Sequence, residues 1–186
     1  GGVYVGNTMG GVIGPDCFFL RFKTAGIELV SGHETMIQNS WFGEELYDTP
    51  GAHSNVTATA ILINGNDHIV TNCIVFSGHV GVAVNGGANL VTGVHTWCSG
   101  ESRGGHGIVV TAGQVRIVES YLDYTNLVLA YTHGIVVTDC FFLGGGKALV
   151  NAYYNTCEDL GVTTAYEANV SHIEIEDGAF TGLVAT

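Results

Sequence analysis

A short segment recurs along this chain at intervals of roughly two dozen residues. Asp16-Cys17-Phe18-Phe19-Leu20 returns almost letter for letter as Asp139-Cys140-Phe141-Phe142-Leu143. Segments of related pattern, with a polar residue or glycine first and a short apolar run after it, stand at 39–43, 72–76, 93–97, 119–123 and 177–181. A period of this length is typical of solenoids, in which stacked coils bury a face that one coil could not bury alone.

A second strand precedes several of these segments. Such strands are at 26–29, 60–63, 81–84 and 107–110, and a corner of small polar residues or glycine follows each of them. Strand, corner, strand, corner predicts an all-β chain, a single-stranded parallel β-helix of about seven coils of ~20–26 residues, forming one domain over 1–186. Two longer intervals predict inserted loops near 44–57 and 151–168. A β-sandwich has strands of similar length, but it would not explain why equivalent residues of the recurring segments match from one segment to the next.

The alternation of side chains along a strand assigns the inward positions. The first inward column is Cys17, Ser40, Cys73, Val94, Ser120 and Cys140, and the second is Phe19, Phe42, Val75, Leu122, Phe142 and Phe180. Stacked side chains at the preceding corner (Asn39, Asn72, Asp139 and Asp177) are expected to hydrogen-bond from coil to coil. Cysteines in an inward column are expected to be small buried apolar residues, whereas Cys98 and Cys157 lie outside it and are candidates for a disulfide.

Charge restricts the partners. Seventeen acidic residues against five basic ones give a net charge of −12, which argues against nucleic acid and anionic membranes, since both attract clustered Lys and Arg. No apolar run reaches the ~18 residues of a membrane span. Without a C-x-x-C motif, no metal or cofactor is expected. Two glycosylation motifs, at Asn55 and Asn169, are compatible with a secreted, extracellular glycoprotein.

Several segments resemble one known group of proteins. TATAILINGNDHIVTNCIVFSG at 57–78, GVAVNGGANLVTGVHTW at 81–97, ESYLDYT at 119–125 and CFFLGGG at 140–146 resemble the pectin-lyase-like β-helix superfamily, and most of all its plant polygalacturonase-like proteins of the quartet type. The resemblance implies a right-handed parallel β-helix and an extracellular role connected with glycans. Because such relatives are usually much longer, we expect a fragment or a shortened form of a longer β-helix.

The resemblance also implies where catalytic residues would stand. Polygalacturonases carry four motifs in chain order: Asn-Thr-Asp, Gly-Asp-Asp, Gly-His-Gly and Arg-Ile-Lys. Gly105-His106-Gly107 matches the third, whereas the others fall on 58–60, 78–80 and near 127–130, where this chain has no carboxylate and no cation. Glycoside hydrolysis ordinarily needs a pair of carboxylates. An active enzyme would be a polysaccharide-degrading glycoside hydrolase using His106 with other acids, and the candidates, which could equally be solvated loop residues, are Glu44, Glu45, Asp48, Asp67 and Glu101.

The outward positions of the recurring segments are rich in aromatic side chains. Trp41, Phe76, His95, Trp97 and Tyr121 are candidates for binding a polysaccharide or for an interface covered by a loop or a subunit. The sequence therefore predicts an extracellular, carbohydrate-associated β-helix of polygalacturonase-like ancestry without the standard catalytic acids. The alternative is a non-catalytic structural module that self-associates through its β-helix ends into a filament. A phage or viral adhesin would share the fold but not the segments quoted above.

Overall fold

The chain winds into three parallel β-sheets that share one core. The computed structural model describes residues 2–20, 22, 24–43, 58–76, 80–97, 106–123, 125–129 and 135–143, and strand backbone at 147–150, 168–170, 173–175 and 179–181; side chains are described as far as Phe141. Every regular element in these ranges is a β-strand. These residues include no helix with the length and apolar character needed to cross a bilayer.

Each coil contributes one strand to each sheet, and the strands are numbered along the chain. Sheet A contains β1 (Val3–Val5), β4 (Ala25–Leu29), β7 (Thr59–Ile63), β10 (Val80–Val84), β13 (His106–Val110), β16 (Asn126–Leu129), β19 (Lys147–Val150) and β22 (Ala179–Thr181). Sheet B contains β2 (Thr8–Ile13), β5 (Gly32–Gln38), β8 (Ile69–Thr71), β11 (Leu90–Thr92), β14 (Arg116–Val118), β17 (Ile135–Thr138) and β20 (Ala168–Val170). Sheet C contains β3 (Phe18–Leu20), β6 (Trp41–Gly43), β9 (Ile74–Phe76), β12 (His95–Trp97), β15 (Tyr121–Asp123), β18 (Cys140–Leu143) and β21 (Ile173–Ile175). The predicted all-β parallel β-helix is therefore confirmed.

The core follows the columns that the sequence predicts. In the first column Ser40, Cys73, Val94, Ser120 and Cys140 are buried, and Cys17 is half-buried. In the second column Phe42, Val75 and Leu122 are buried, and Phe19 stacks on Phe42 with ring centroids 4.8 Å apart. Thr96 completes that column on β12, where its hydroxyl lies 2.6 Å from the hydroxyl of Thr125. Cys17, Cys73 and Cys140 are free thiols, whereas Cys98 and Cys157 lie outside the described residues.

A very short corner joins sheet B to sheet C. The residue directly before the first inward column has a positive φ, between 45° and 61°, at Asp16, Asn39, Asn72, Gly93, Glu119 and Asp139. Glycine and residues with short polar side chains adopt this left-handed conformation most readily, which explains why Asp and Asn recur there. The coil-to-coil bonds at these corners are donated by the backbone, as from Asn39 N to Thr71 O (3.1 Å) and from Asn72 N to Thr92 O (3.1 Å).

The expected ladder of side chains lies at a different corner. Between sheets A and B, Asn85 Nδ2 donates to Asn64 Oδ1 (3.0 Å), and Thr111 Oγ1 donates to Asn85 Oδ1 (2.7 Å). The described side-chain ladder thus lies at the A–B corner, whereas at the B–C corner the residue in the left-handed conformation pairs its backbone from coil to coil. Asp177 lies outside the described residues.

Two further expectations need correction. Each coil has three strands rather than two, because the short strands of sheet B also pair in parallel. The segment at 177–181 does not continue sheet C: Ala179–Thr181 pairs with β19 of sheet A, and Ile173–Ile175 takes the place beside β18. Phe180 therefore does not belong to the second column. The predicted loop at 44–57 and most of the loop at 151–168 lie outside the described residues, and Ala168 already belongs to β20.

Candidate functional site

The outward side of sheet C carries a continuous surface of rings. In its strands the middle residue points into the core and the residues on either side point outward, as the burial pattern of β9, β12 and β15 shows. We call this surface the aromatic face, and it consists of Phe18, Trp41, Phe76, His95, Trp97, Tyr121 and Phe141. Phe18 is 65% exposed and Trp41 is 41% exposed, whereas the rings farther along are half-buried against one another. All five residues predicted for carbohydrate binding or an interface lie on this face.

The rings contact one another from strand to strand. One series runs Phe18–Trp41–Phe76–Trp97, with centroid distances of 5.9, 5.2 and 5.6 Å. A second runs His95–Tyr121–Phe141, with centroid distances of 4.5 and 5.2 Å. Trp41 reaches Phe76 diagonally because Gly43, which is opposite Phe76 on β6, has no side chain to separate the rings. These separations are in the range of favourable aromatic pairs, so the rings hold one another in place.

Two polar side chains interrupt the rings on β12 and β15. His95 is opposite Tyr121 and Trp97 is opposite Asp123, so His95 and Asp123 lie diagonally across the strand pair. His95 Nε2 and Asp123 Oδ1 are buried, and neither atom has a hydrogen-bond partner within the described part of the chain. Such orphaned polar atoms are uncommon in folded proteins, so this pair is the most polar and least satisfied point of the aromatic face.

Burial controls the ionisation of this pair. It lowers the pKa of His95 below 6.5, against the smaller opposing effect of the Asp123 charge, so the imidazole is neutral at pH 7. It raises the pKa of Asp123 above 3.8, again against a smaller effect of His95. Sequence reasoning missed Asp123. It is the only acid at the outward positions of β3, β6, β9, β12, β15 and β18, so the outward residues of each segment, written in order, would have revealed it.

Three of the positions matched to polygalacturonase motifs, Thr59, Val80 and His106, lie in one row across the start of sheet A, which continues to Asn126 just before the fourth matched segment. Thr59, Val80, His106 and Asn126 are opposite one another on β7, β10, β13 and β16. His106 is buried, at 2% exposure, with its Nδ1 shielded from solvent. None of the four is an acid, and therefore this row brings no carboxylate to His106.

Asp67 lies elsewhere, at the corner between sheets A and B. Its Oδ2 is 3.3 Å from His33 Nδ1, and both side chains are about half exposed. Asp67 follows the end of β7, whereas His106 begins β13, so the five-residue width of sheet A separates them by about 16 Å. The structure does not bring these two candidates together. The remaining predicted acids, Glu44, Glu45, Asp48 and Glu101, lie outside the described residues, as does the glycosylation candidate Asn55.

Asn169, the other glycosylation candidate, is in β20, whose backbone pairs with β17 through Val136. Its side chain is not among those described, so its modification stays a prediction. Within the described ranges, no group of three or more His, Cys, Asp or Glu side chains is arranged to hold a metal ion.

Comparison with known proteins gives one curated relative. The chain is 40% identical over 144 residues to Polygalacturonase QRT3 of Arabidopsis thaliana, an alignment that covers 74% of this chain and 30% of the relative. The chain thus spans about a third of the relative's length. No protein-family profile and no solved structure matches it. With the three-sheet solenoid, this identity shows that the chain belongs to the pectin-lyase-like superfamily of parallel β-helix proteins and is related to quartet-type polygalacturonase.

Proposed function

We propose that this chain is an extracellular, polysaccharide-binding β-helix of polygalacturonase ancestry that lacks the standard catalytic acids. The observation that carries the proposal is the pair of ring series, Phe18 to Trp97 and His95 to Phe141, that together cross the outward side of sheet C. The face crosses six strands, β3 to β18, which at a spacing of about 4.8 Å span roughly 24 Å. An aromatic surface of this length suits an extended chain of sugar rings, because ring faces stack on the apolar faces of sugars.

The row at the start of sheet A supports the loss of standard catalysis. A general acid or base contributes roughly 10²–10⁴-fold to an enzymatic rate. His106 is buried beside Val80 and Asn126, and no carboxylate stands in that row. We therefore expect turnover of polygalacturonate to be several orders of magnitude below that of a true pectinase. The related protein is named a polygalacturonase, which makes a polysaccharide the first ligand class to test.

The two tryptophans provide a built-in signal for this test. The sequence contains only Trp41 and Trp97, and both lie on the aromatic face, so intrinsic fluorescence reports ligands that bind there. Titration with polysaccharide oligomers should give a saturable change. Tyr121→Ala, which keeps both tryptophans, should weaken binding by about 10-fold, equivalent to about 1.4 kcal/mol. The matched control is Tyr4→Ala on β1 of sheet A, where Tyr4 is 70% exposed.

The outcomes separate the competing functions. Equal effects of Tyr121→Ala and Tyr4→Ala, or no fluorescence change with any polysaccharide, would contradict the proposal. A reducing-sugar assay that finds turnover comparable to that of a pectinase would show instead that the chain is an active glycoside hydrolase. Filaments in electron micrographs, or association in sedimentation velocity that Tyr121→Ala abolishes and glycan does not affect, would favour the structural alternative. Secretion and glycosylation are checked independently, by mass spectrometry of the natural protein at Asn55 and Asn169.

A further inference from the structure

We infer that the aromatic face selects uncharged sugars over uronates, and that His95 and Asp123 form the hydrogen-bonding pair of one sugar subsite beside Trp97 and Tyr121. The inference rests on the proposed function and adds the ligand class. His95 and Trp97 stand two residues apart on β12, and Tyr121 and Asp123 are opposite them on β15. The four side chains therefore occupy a patch of about 5 by 7 Å, comparable in size to one sugar ring.

The patch mixes ring surface with unsatisfied polar atoms. Two of its corners are aromatic, and the other two carry His95 Nε2 and Asp123 Oδ1, buried and unpaired within the described chain. Buried polar atoms are almost always hydrogen-bonded in folded proteins, so a ligand that supplies the missing bonds is favoured. A sugar hydroxyl suits both atoms, since it can donate one hydrogen bond to a carboxylate and accept another from an imidazole N–H.

Charge on this face disfavours an acidic sugar. Asp123 is an acid within the subsite, and Glu174 is opposite Phe141 at the next strand pair of sheet C. No Lys or Arg stands at an outward position of the sheet C strands. Of the basic residues, Arg116 belongs to sheet B and Lys147 to sheet A, whereas Arg21, Lys23 and Arg103 lie outside the described residues.

The histidine does not supply the missing positive charge. Burial holds the pKa of His95 below its usual value, so the ring is uncharged at neutral pH. A uronate carboxylate placed on the patch would lose hydration beside a like charge and gain no cation from the described residues of sheet C in return. An uncharged sugar, or a uronate whose carboxyl group is esterified, avoids this cost and can still stack on the rings.

A pair of ligands with one backbone tests the inference directly. Fully methyl-esterified and fully de-esterified homogalacturonan oligomers of equal length are titrated at pH 7, low ionic strength and with a chelator that removes bridging divalent cations. We expect the esterified oligomer to bind at least 10-fold more tightly, as read by tryptophan fluorescence. A neutral galactan oligomer should bind more tightly than the de-esterified acid as well.

Two substitutions assign the selectivity to Asp123. Asp123→Asn keeps an amide oxygen and removes the charge, so it should reduce the esterified-to-acid preference below 3-fold. Asp123→Ala should weaken binding of both oligomers, and circular dichroism spectra of both variants should match the wild type. Equal or tighter binding of the de-esterified oligomer, or an unchanged preference in Asp123→Asn, would overturn the inference while leaving glycan binding intact. Failure of every oligomer to bind would instead overturn the proposed function.

Discussion

Asn89 connects neighbouring coils at the corner between sheets A and B, and its removal should be costly. The side chain is 1% exposed and makes three hydrogen bonds to backbone groups. Its Oδ1 accepts from His68 N (2.7 Å), and its Nδ2 donates to Gly65 O (3.0 Å) and to Gly86 O (2.7 Å). Gly65 and Gly86 are buried as well, so water cannot easily replace the amide.

The magnitude follows from the three groups that Asn89→Ala leaves unpaired. Each buried donor or acceptor without a partner costs about 1–3 kcal/mol. We therefore expect the free energy of unfolding to fall by about 3 kcal/mol or more, a large share of the 5–15 kcal/mol typical of a domain. Asn85→Ala is the matched control, because Asn85 is exposed and its side chain bonds only to other side chains among its described contacts. Water can replace these bonds, and the loss should stay below about 1 kcal/mol.

Urea denaturation at pH 7.5, followed by both circular dichroism and tryptophan fluorescence, measures this difference. Coincident transitions by the two probes are needed before free energies are compared, because solenoids can unfold coil by coil. The m values of both variants should match that of the wild type. A loss in Asn89→Ala within 1 kcal/mol of the loss in Asn85→Ala would refute the reasoning that buried backbone pairing holds this corner.

Three other predictions use groups whose ionisation depends on burial. Burial raises the pKa of Asp123, so its charge at neutral pH destabilises the folded chain. Asp123→Asn should raise the thermal midpoint at pH 7.5 and raise it less near pH 4. An equal shift of the midpoint at the two pH values would show that the charge of Asp123 is not the cause. The pKa of His68 is lowered, chiefly by burial and then by His33, against an opposing effect of Asp67, and its Nδ1 accepts from Thr35 N. The unfolded chain therefore takes up this proton near pH 6.5 while the folded chain does not, and stability should decline as the pH falls below that value. An unchanged decline in His68→Gln would show that another group is responsible. Burial raises the pKa of Cys73 and of Cys140 to about 11, so iodoacetamide at pH 8 should modify Cys17 well before either of them, as mapped by mass spectrometry.

The sequence was sufficient to predict the fold because the repeat combines two physical requirements. Buried positions need small or apolar side chains, as at Ser40, Cys73 and Phe42, and the residue before them needs a left-handed backbone, as at Asn39 and Asn72. Matching both at one interval leaves few architectures other than stacked coils. The sequence also predicted which aromatic residues face outward, since alternation along a short strand fixes which side chains point away from the core.

The parts that were missed carry weaker signals. Strands of sheet B such as β8 and β11 contain one inward residue each, Val70 and Val91, which is too little for an alternating pattern. The segment at 177–181 looked like a sheet C strand because a single aromatic residue in a short apolar run does not identify its sheet. Asp123 was missed because acids were sought at the motif positions and in the loops and corners, whereas the structure places this one in a strand of sheet C.

The B–C corner sets the phase of the whole solenoid. Two residues connect the sheets at 39–40, 72–73, 93–94 and 119–120, whereas the connections at 44–58, 98–105 and 151–167 are long and unequal. One residue added to the two-residue corner would exchange core and surface side chains along the next strand of sheet C. Residues added at the other two corners leave that alternation intact. The scaffold can therefore change the length of its loops while the spacing of the rings across sheet C stays constant.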